Sequence, residues 1–269
     1  MSRSTNDSGV LAQRSSESTD SLLAERFVVG SLPRFELDEW RTRFGVVAGI
    51  TSRGDPDAPL DFALRQPPEA NTLDRWAHLQ EELQARGVVV SRQIHGTLVK
   101  WHSGGWDEGV CILEGKDGHG TSEPGLLLAI TVADCIPVYL HDPVTRSIAL
   151  LHAGWRGTAA GVLNSGIELL EARAGARAED IVMHCGPGIC GSCYEVGHEV
   201  IEAMARADDG VGSNHLDLRR ELTRQGRAAG LQRPTRSAMC TKHHHDSFFS
   251  HRGSAGAAGR MVAYMLLLP

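Results

Sequence analysis

The chain has 269 residues, 41% hydrophobic and 22% charged, with 30 glycines and a formal net charge of −6 from 27 basic and 33 acidic side chains. That length buries a substantial core in one large domain or two small ones. The acidic balance argues against nucleic acid or an anionic membrane as the main partner, and no apolar run approaches the roughly 20 residues of a membrane span.

Residues 1–26 are rich in Ser, Thr, Asp and Arg and have little to bury, so they read as a disordered tail without the charged-then-apolar layout of a secretory leader. Order is expected from Phe27. Segment 44–50 reads as a strand running into the polar loop Thr51 to Pro56, which carries Arg53. Asn71 or Thr72 caps a helix to about Arg86, with Leu73, Trp76, Leu79 and Leu83 on its inner face and Gly87 as its stop. Strands follow near 88–94, 126–133, 136–140 and 147–152, and Asp117 to Gly120 reads as a turn. An amphipathic stretch from Thr158 to Arg173 has Val162, Ile167 and Leu170 among its apolar positions. A strand at 181–185 precedes the glycine-rich loop Gly186 to Gly191. Helices are expected near 197–206 and 216–229, and the apolar run Met261 to Leu268 closes the chain as a buried strand or a final helix. No repeat or linker divides the ordered part, which predicts one α/β domain over residues 27–269.

Three segments place a metal-competent side chain where an apolar strand runs out. His95 follows Val88-Val89-Val90, Cys135 follows the run Leu126 to Val132, and His152 follows Ile148 to Leu151. Strand ends are held rigidly while still facing solvent. A thiolate and two imidazoles converging there suit one zinc ion with a vacant fourth position, or a Cys/His nucleophile pair. Taken singly, a cysteine after a strand is more often a small buried hydrophobe, and a lone histidine is more often structural. His152 stands out because Ala153 and Gly154 remove bulk beside it. Arg156 then offers a planar fork of donors next to a helix start, a combination suited to phosphate or carboxylate. Asp117 either is structural or reaches this site.

The six cysteines, at 111, 135, 185, 190, 193 and 240, form no regular disulfide framework. Free or metal-bound thiols in a reducing cytoplasm are expected. Cys190 and Cys193 make a Cys-x-x-Cys with no second pair, which speaks for a close-approach loop rather than a zinc knuckle. His243-His244-His245 reads as an exposed polar loop, since contiguous histidines cannot all face one ion.

Read together, QIHG, TVADCIPV, HAGWRGT, GPGICGSCYEVG, CT and FFSHR resemble the family once called multicopper polyphenol oxidases or laccase-domain proteins, with its YfiH/YlmD-type purine nucleoside phosphorylases. The resemblance spans about residues 27–269. It implies a single-domain mixed β-sheet sandwich flanked by helices, with a two-histidine, one-cysteine site carried over to His95, Cys135 and His152. It further implies phosphorolysis of adenosine, inosine and 5′-methylthioadenosine, and deamination of adenosine. Zinc is the implied metal and copper the second candidate; the implied partners are small purine nucleosides and phosphate. Arg53 matches the family's arginine after the first strand, and Arg156 falls within HAGWRG. Cys190 stands where the family usually has glycine, Ser192-Cys193 where it has paired cysteines, and Arg252-Gly253 where it has an arginine pair. Asp61-Phe62 replaces its usual Asn-Leu.

The expected mechanism uses zinc to acidify water for deamination. Arg53, Arg156 and the helix amides after Gly157 hold phosphate for phosphorolysis, with Asp117 as proton carrier. Three alternatives remain. One is a peptidoglycan-precursor amidase using Cys135 as nucleophile and His152 as base. Another is a copper-dependent polyphenol oxidase, which the absence of paired His-x-His clusters opposes. The third is a non-catalytic nucleoside- or metal-binding module.

Overall fold

The computed structural model describes residues 21–67, 71–104, 109–204 and 214–269. Two seven-stranded mixed sheets lie face to face, with helices on both outer sides. In one sheet the order is Ser21–Leu22, Thr235–Arg236, Val182–Cys185, Ile136–Asp142, Ser147–Ala153, Gly118–Thr121 and Val99–His102. In the other it is Arg26–Val28, Arg34–Glu36, Val46–Thr51, Met261–Leu267, Leu126–Val132, Gly87–Arg92 and Val110–Glu114. This is the expected α/β sandwich.

The apolar runs are nearly continuous because both faces of the central strands are buried. Side chains alternate across a strand, so Ile148 and Leu150 enter the core between the sheets while Ala149 and Leu151 meet the outer helix Val162–Ala174. In Gly87–Arg92, Val89 faces inward, and Val88 and Val90 pack with Trp76 and Leu79 of the helix Thr72–Glu82. The helix Leu218–Ala228 is capped by Asp217, whose side chain accepts from the amides of Arg219 and Arg220. Among the described residues no helix is long and apolar enough to cross a membrane.

Several expectations need correction. Order begins before Phe27: Ser21–Leu22 pairs in parallel with Thr235–Arg236, and the Glu25 carboxylate meets His184 Nε2 at 3.0 Å and Ser237 Oγ at 2.9 Å. The remainder of the expected tail, residues 1–20, lies outside the described residues. Leu73 is 55% exposed, and Thr72 takes its place on the inner stripe with Trp76, Leu79 and Leu83. Trp76, Leu79 and Leu83 face inward as expected, so only the first residue of the stripe changes, and Asn71, at φ 67°, makes no side-chain cap bond.

Gly118–Thr121 is a buried strand, not a turn. Its glycines serve close approach: a Cβ at Gly118 would sit 2.7 Å from the Leu151 side chain. His119 between them is fully buried and bonded to Ser91 and His102. The stretch 158–173 is two helices, Trp155–Ala160 and Val162–Ala174, broken at Gly161 with φ 91°. The helix expected near 197–206 is described as His198–Met204, and 205–206 lie outside the described residues. The final apolar run is a strand, paired on both sides and therefore central.

Candidate active site

The two sheets contribute different parts of one site. His95 lies just beyond Gly87–Arg92 in one sheet, and His152 is next to last in Ser147–Ala153 of the other. Ala133-Asp134-Cys135 is the crossing between Leu126–Val132 in the first sheet and Ile136–Asp142 in the second. Because Pro137 pairs with His152, the crossing delivers Cys135 beside the histidine. Donor atoms of His95, Cys135 and His152 all lie within 4.8 Å of one another, with the two imidazole rings edge to face at 4.8 Å. A Cβ at Gly154 would stand 3.0 Å from His95 and 3.1 Å from Cys135 Sγ, so the trio closes only over a glycine.

Asp117 organises the trio. Fully buried, it accepts from the amides of His95 at 2.8 Å and Gly96 at 2.7 Å, and from that of Ile94 at 3.3 Å. His152 Nδ1 donates to it at 2.9 Å. These bonds hold His95 in the left-handed region, at φ 62°. With Nδ1 engaged, Nε2 is the nitrogen left for the Cys135 thiol. Burial pushes the Asp117 carboxyl up, but His152 and the loop amides outweigh it and hold the group below the usual carboxylate range.

Cys135 and His152 each favour the other's charged form. Burial raises the thiol, yet the charge and hydrogen bond of His152, joined by His95, bring it down to about 6. Burial lowers His152, and Cys135 and Asp117 carry it up to about 9. Asp134 fixes the crossing itself at φ 83°, accepting from Thr241 Oγ1 at 2.6 Å and the Arg252 amide at 2.7 Å.

The trio opens onto a cavity of about 320 Å³ lined also by Gln93, Thr131, Ala133, His251 and Arg260. An adjoining cavity of about 240 Å³ shares Gln93, Thr131 and Arg260 and adds Arg65 and Arg92. Gln93 ties the two strand ends together: its amide donates to the Thr131 carbonyl at 2.8 Å and accepts from the Thr131 amide at 3.1 Å. Sequence reasoning missed Gln93, His251 and Arg260, although all three stand in or next to the motifs QIHG, FFSHR and GR.

The two expected anion-binding arginines stand elsewhere. Arg53 lines a separate cavity with Lys242, His245 and Phe249; it donates to the His245 carbonyl at 3.0 Å and stacks on Phe249. The loop after Val46–Thr51 is drawn there by the Arg53 amide bond to the Ser247 carbonyl. Arg156 is exposed and stacks on Trp155 at 4.3 Å, outside the lining of the trio's cavity. It belongs to the rim: burial raises the Tyr194 phenol to about 12, with Cys135 adding to the rise and Arg252 and Arg156 opposing it. The trio's donor set, one sulfur and two imidazole nitrogens beside an open cavity, fits a metal ion with a free coordination position.

The sequence profile of the family described as multi-copper polyphenol oxidoreductase laccase matches residues 63–268. A purine nucleoside phosphorylase of Bacteroides thetaiotaomicron is 35% identical over 58% of this chain and 62% of its own length. Purine nucleoside phosphorylase YlmD of Geobacillus stearothermophilus is 32% identical over 82% of this chain and 90% of its own. Adenosine deaminase RL5, from an unknown prokaryotic organism, is 33% identical over 64% of this chain and 72% of its own. A crystal structure of YlmD from Geobacillus stearothermophilus superposes with a TM-score of 0.80 at 27% identity, covering 91% of this chain and all of the other.

Proposed function

The chain belongs to the multi-copper polyphenol oxidoreductase laccase family, and from that premise we propose that it is a purine nucleoside phosphorylase with adenosine deaminase side activity. The reading takes adenosine, inosine and 5′-methylthioadenosine as substrates. The observation that carries it is the His95–Cys135–His152 trio, oriented by Asp117 and open to a cavity of about 320 Å³. That volume falls in the range of small-ligand sites.

The metal assigned to the trio is zinc, which three nitrogen and sulfur donors with an open side suit. Held there, it supplies Lewis acidity toward water or an oxygen of the substrate. Copper is the second candidate for the same donors. A multicopper cluster has no support, because the described residues contain only one other group of three or more close His, Cys, Asp or Glu donors.

In phosphorolysis a phosphate oxygen bonds to ribose C1′ as the bond from C1′ to purine N9 breaks, and the leaving purine takes up a proton. Arg260, on the wall shared by the two cavities, is placed to meet the phosphate, and His251 to supply the proton. Asp117 engages His152 Nδ1 and leaves Nε2 turned to the trio's centre, so in this reading it acts as a positioning residue rather than as the proton carrier. In deamination water adds at purine C6 and ammonia leaves. The test is phosphate-dependent release of hypoxanthine from inosine by the purified protein. Cys135→Ala is expected to abolish it without loss of fold; unchanged turnover in that variant overturns the reading.

One observation favours a second reading. Cys135, His152 and Asp117 follow the thiol–imidazole–carboxylate order of a hydrolytic triad. If Cys135 is the nucleophile of a peptidoglycan-precursor amidase, metal-stripped protein cleaves UDP-muramoyl amino acids at full rate, and Cys135→Ser does not.

A further inference from the structure

Two loops meet at Asp134, which bonds to both and does not itself line the cavity. The glycine-rich loop brings Cys190 and Cys193, separated by the single 3-10 turn Gly191–Cys193. The segment after Ser237 brings Cys240 and His243. Cys240 pairs with Gly188 as a parallel bridge, and the Thr241 amide donates to the Gly188 carbonyl at 3.2 Å. The Cys-x-x-Cys therefore does have a second half, a Cys-x-x-His some fifty residues downstream.

Donor atoms of these four residues all lie within 4.8 Å of one another. Cys193 Sγ stands 3.2 Å and Cys190 Sγ 3.7 Å from ring nitrogens of His243. Tetrahedral zinc with ordinary bond lengths sets its sulfur and nitrogen ligands about 3.5–3.8 Å apart, so the cluster is within reach of a coordination sphere once it contracts and the His243 ring turns one nitrogen to the centre. The Cys190 amide donates to Cys240 Sγ at 3.3 Å, which fixes one loop against the other. All three cysteines are free thiols.

We propose that Cys190, Cys193, Cys240 and His243 hold a second zinc ion that is structural rather than catalytic. Four protein ligands close its coordination sphere, whereas the His95–Cys135–His152 trio leaves a position open. Its role is positional. The Ile189 amide donates to the Asp134 carbonyl at 3.0 Å, and Thr241 Oγ1 donates to the Asp134 carboxylate at 2.6 Å. Each of these residues neighbours a proposed ligand, so the ion clamps the crossing that presents Cys135.

The test uses full-length protein purified under reducing conditions and stripped of metal. In His95→Ala/His152→Ala the trio is dismantled and the second cluster left intact. This variant is expected to take up a single Co²⁺ ion per chain, with thiolate-to-cobalt charge-transfer absorption and the strong visible bands of tetrahedral cobalt. Zn²⁺ should displace the cobalt and raise the melting temperature. Adding His243→Ala, a change at an exposed side chain, should weaken uptake and alter the visible bands; adding Cys193→Ser should abolish the charge-transfer signal. The proposal is overturned if the double variant binds no Co²⁺, if its cobalt spectrum lacks thiolate charge transfer, or if mass spectrometry finds a disulfide among the three cysteines.

Discussion

Asp117→Asn changes one oxygen to an NH₂ group and removes one charge, with almost no change in shape. In the native chain Asp117 Oδ1 accepts from His95 N and His152 Nδ1, and Oδ2 accepts from Ile94 N and Gly96 N. An asparagine oxygen can satisfy only one of these pairs, and its NH₂ group then points at the two donors of the other. Each buried donor left without an acceptor costs about 1–3 kcal/mol, so the variant, with two such donors, should lose about 2–6 kcal/mol of stability. That is a large share of the roughly 5–15 kcal/mol that holds a typical domain together. His152 loses its charged partner, and the left-handed loop at His95 loses at least part of the bonding that holds it. Disturbing the carboxylate behind a metal-bound histidine typically costs about 10–100-fold in metal affinity or activity. Urea unfolding, zinc competition and initial rates of inosine phosphorolysis measure the three effects. A variant within about 0.5 kcal/mol of wild type in unfolding, with unchanged zinc affinity and rate, would show that Asp117 does not organise the trio.

Three further outcomes are expected. Gly154→Ala suits the local backbone, at φ −80° and ψ 172°, but its Cβ crowds His95 and Cys135. Turnover should fall about 100-fold with the melting temperature nearly unchanged, and wild-type rates would remove the need for a glycine there. Leu79→Ala should cost about 2–5 kcal/mol in urea unfolding, whereas Leu73→Ala should stay within about 0.5 kcal/mol; equal losses would put the helix in the wrong rotation. Burial holds His119 down to about 3 and, with Lys100, His102 down to about 4. The unfolded chain protonates them near ~6.5, so it binds more protons in the window between. Their contribution is fully present above that pH and fades as the pH falls toward 4. Urea midpoints measured from pH 7 to pH 4 should fall less steeply in His119→Gln than in wild type, and parallel slopes would contradict the assignment.

The sequence carried most of the sandwich because its central strands are buried on both faces and therefore appear as unbroken apolar runs. Gly118–Thr121 escaped notice for the opposite reason. Its glycines resemble a turn, and only the nearness of Leu151 shows that they make room for a neighbouring strand. The trio was legible because each member ends such a run. What fixes their mutual placement was not, since a positive φ at His95 and at Asp134 is a backbone property no residue name announces. Arg53 and Arg156 were plausible by chemistry, yet chain direction after each strand carries them to another cavity and to the rim. Arg260 lies more than a hundred residues from His152 and reaches the site only through the return of the last strand. Cys240 and His243 are hard to join to Cys190 and Cys193 from sequence, because about fifty residues separate the two halves and His243 stands in a histidine run that reads as an exposed loop.

The crossing at Ala133-Asp134-Cys135 has a consequence for assembly. Neither sheet owns the trio: one supplies His95, the other His152, and the cysteine sits on the bridge between them. Neither sheet can hold this three-donor site by itself, so coordination by all three residues reports that the two sheets have docked in register. By linkage, an ion bound only by the docked form adds RT ln(1 + [ion]/Kd) to the work of prising the sheets apart. An ion held by all three donors would therefore also rivet one sheet to the other.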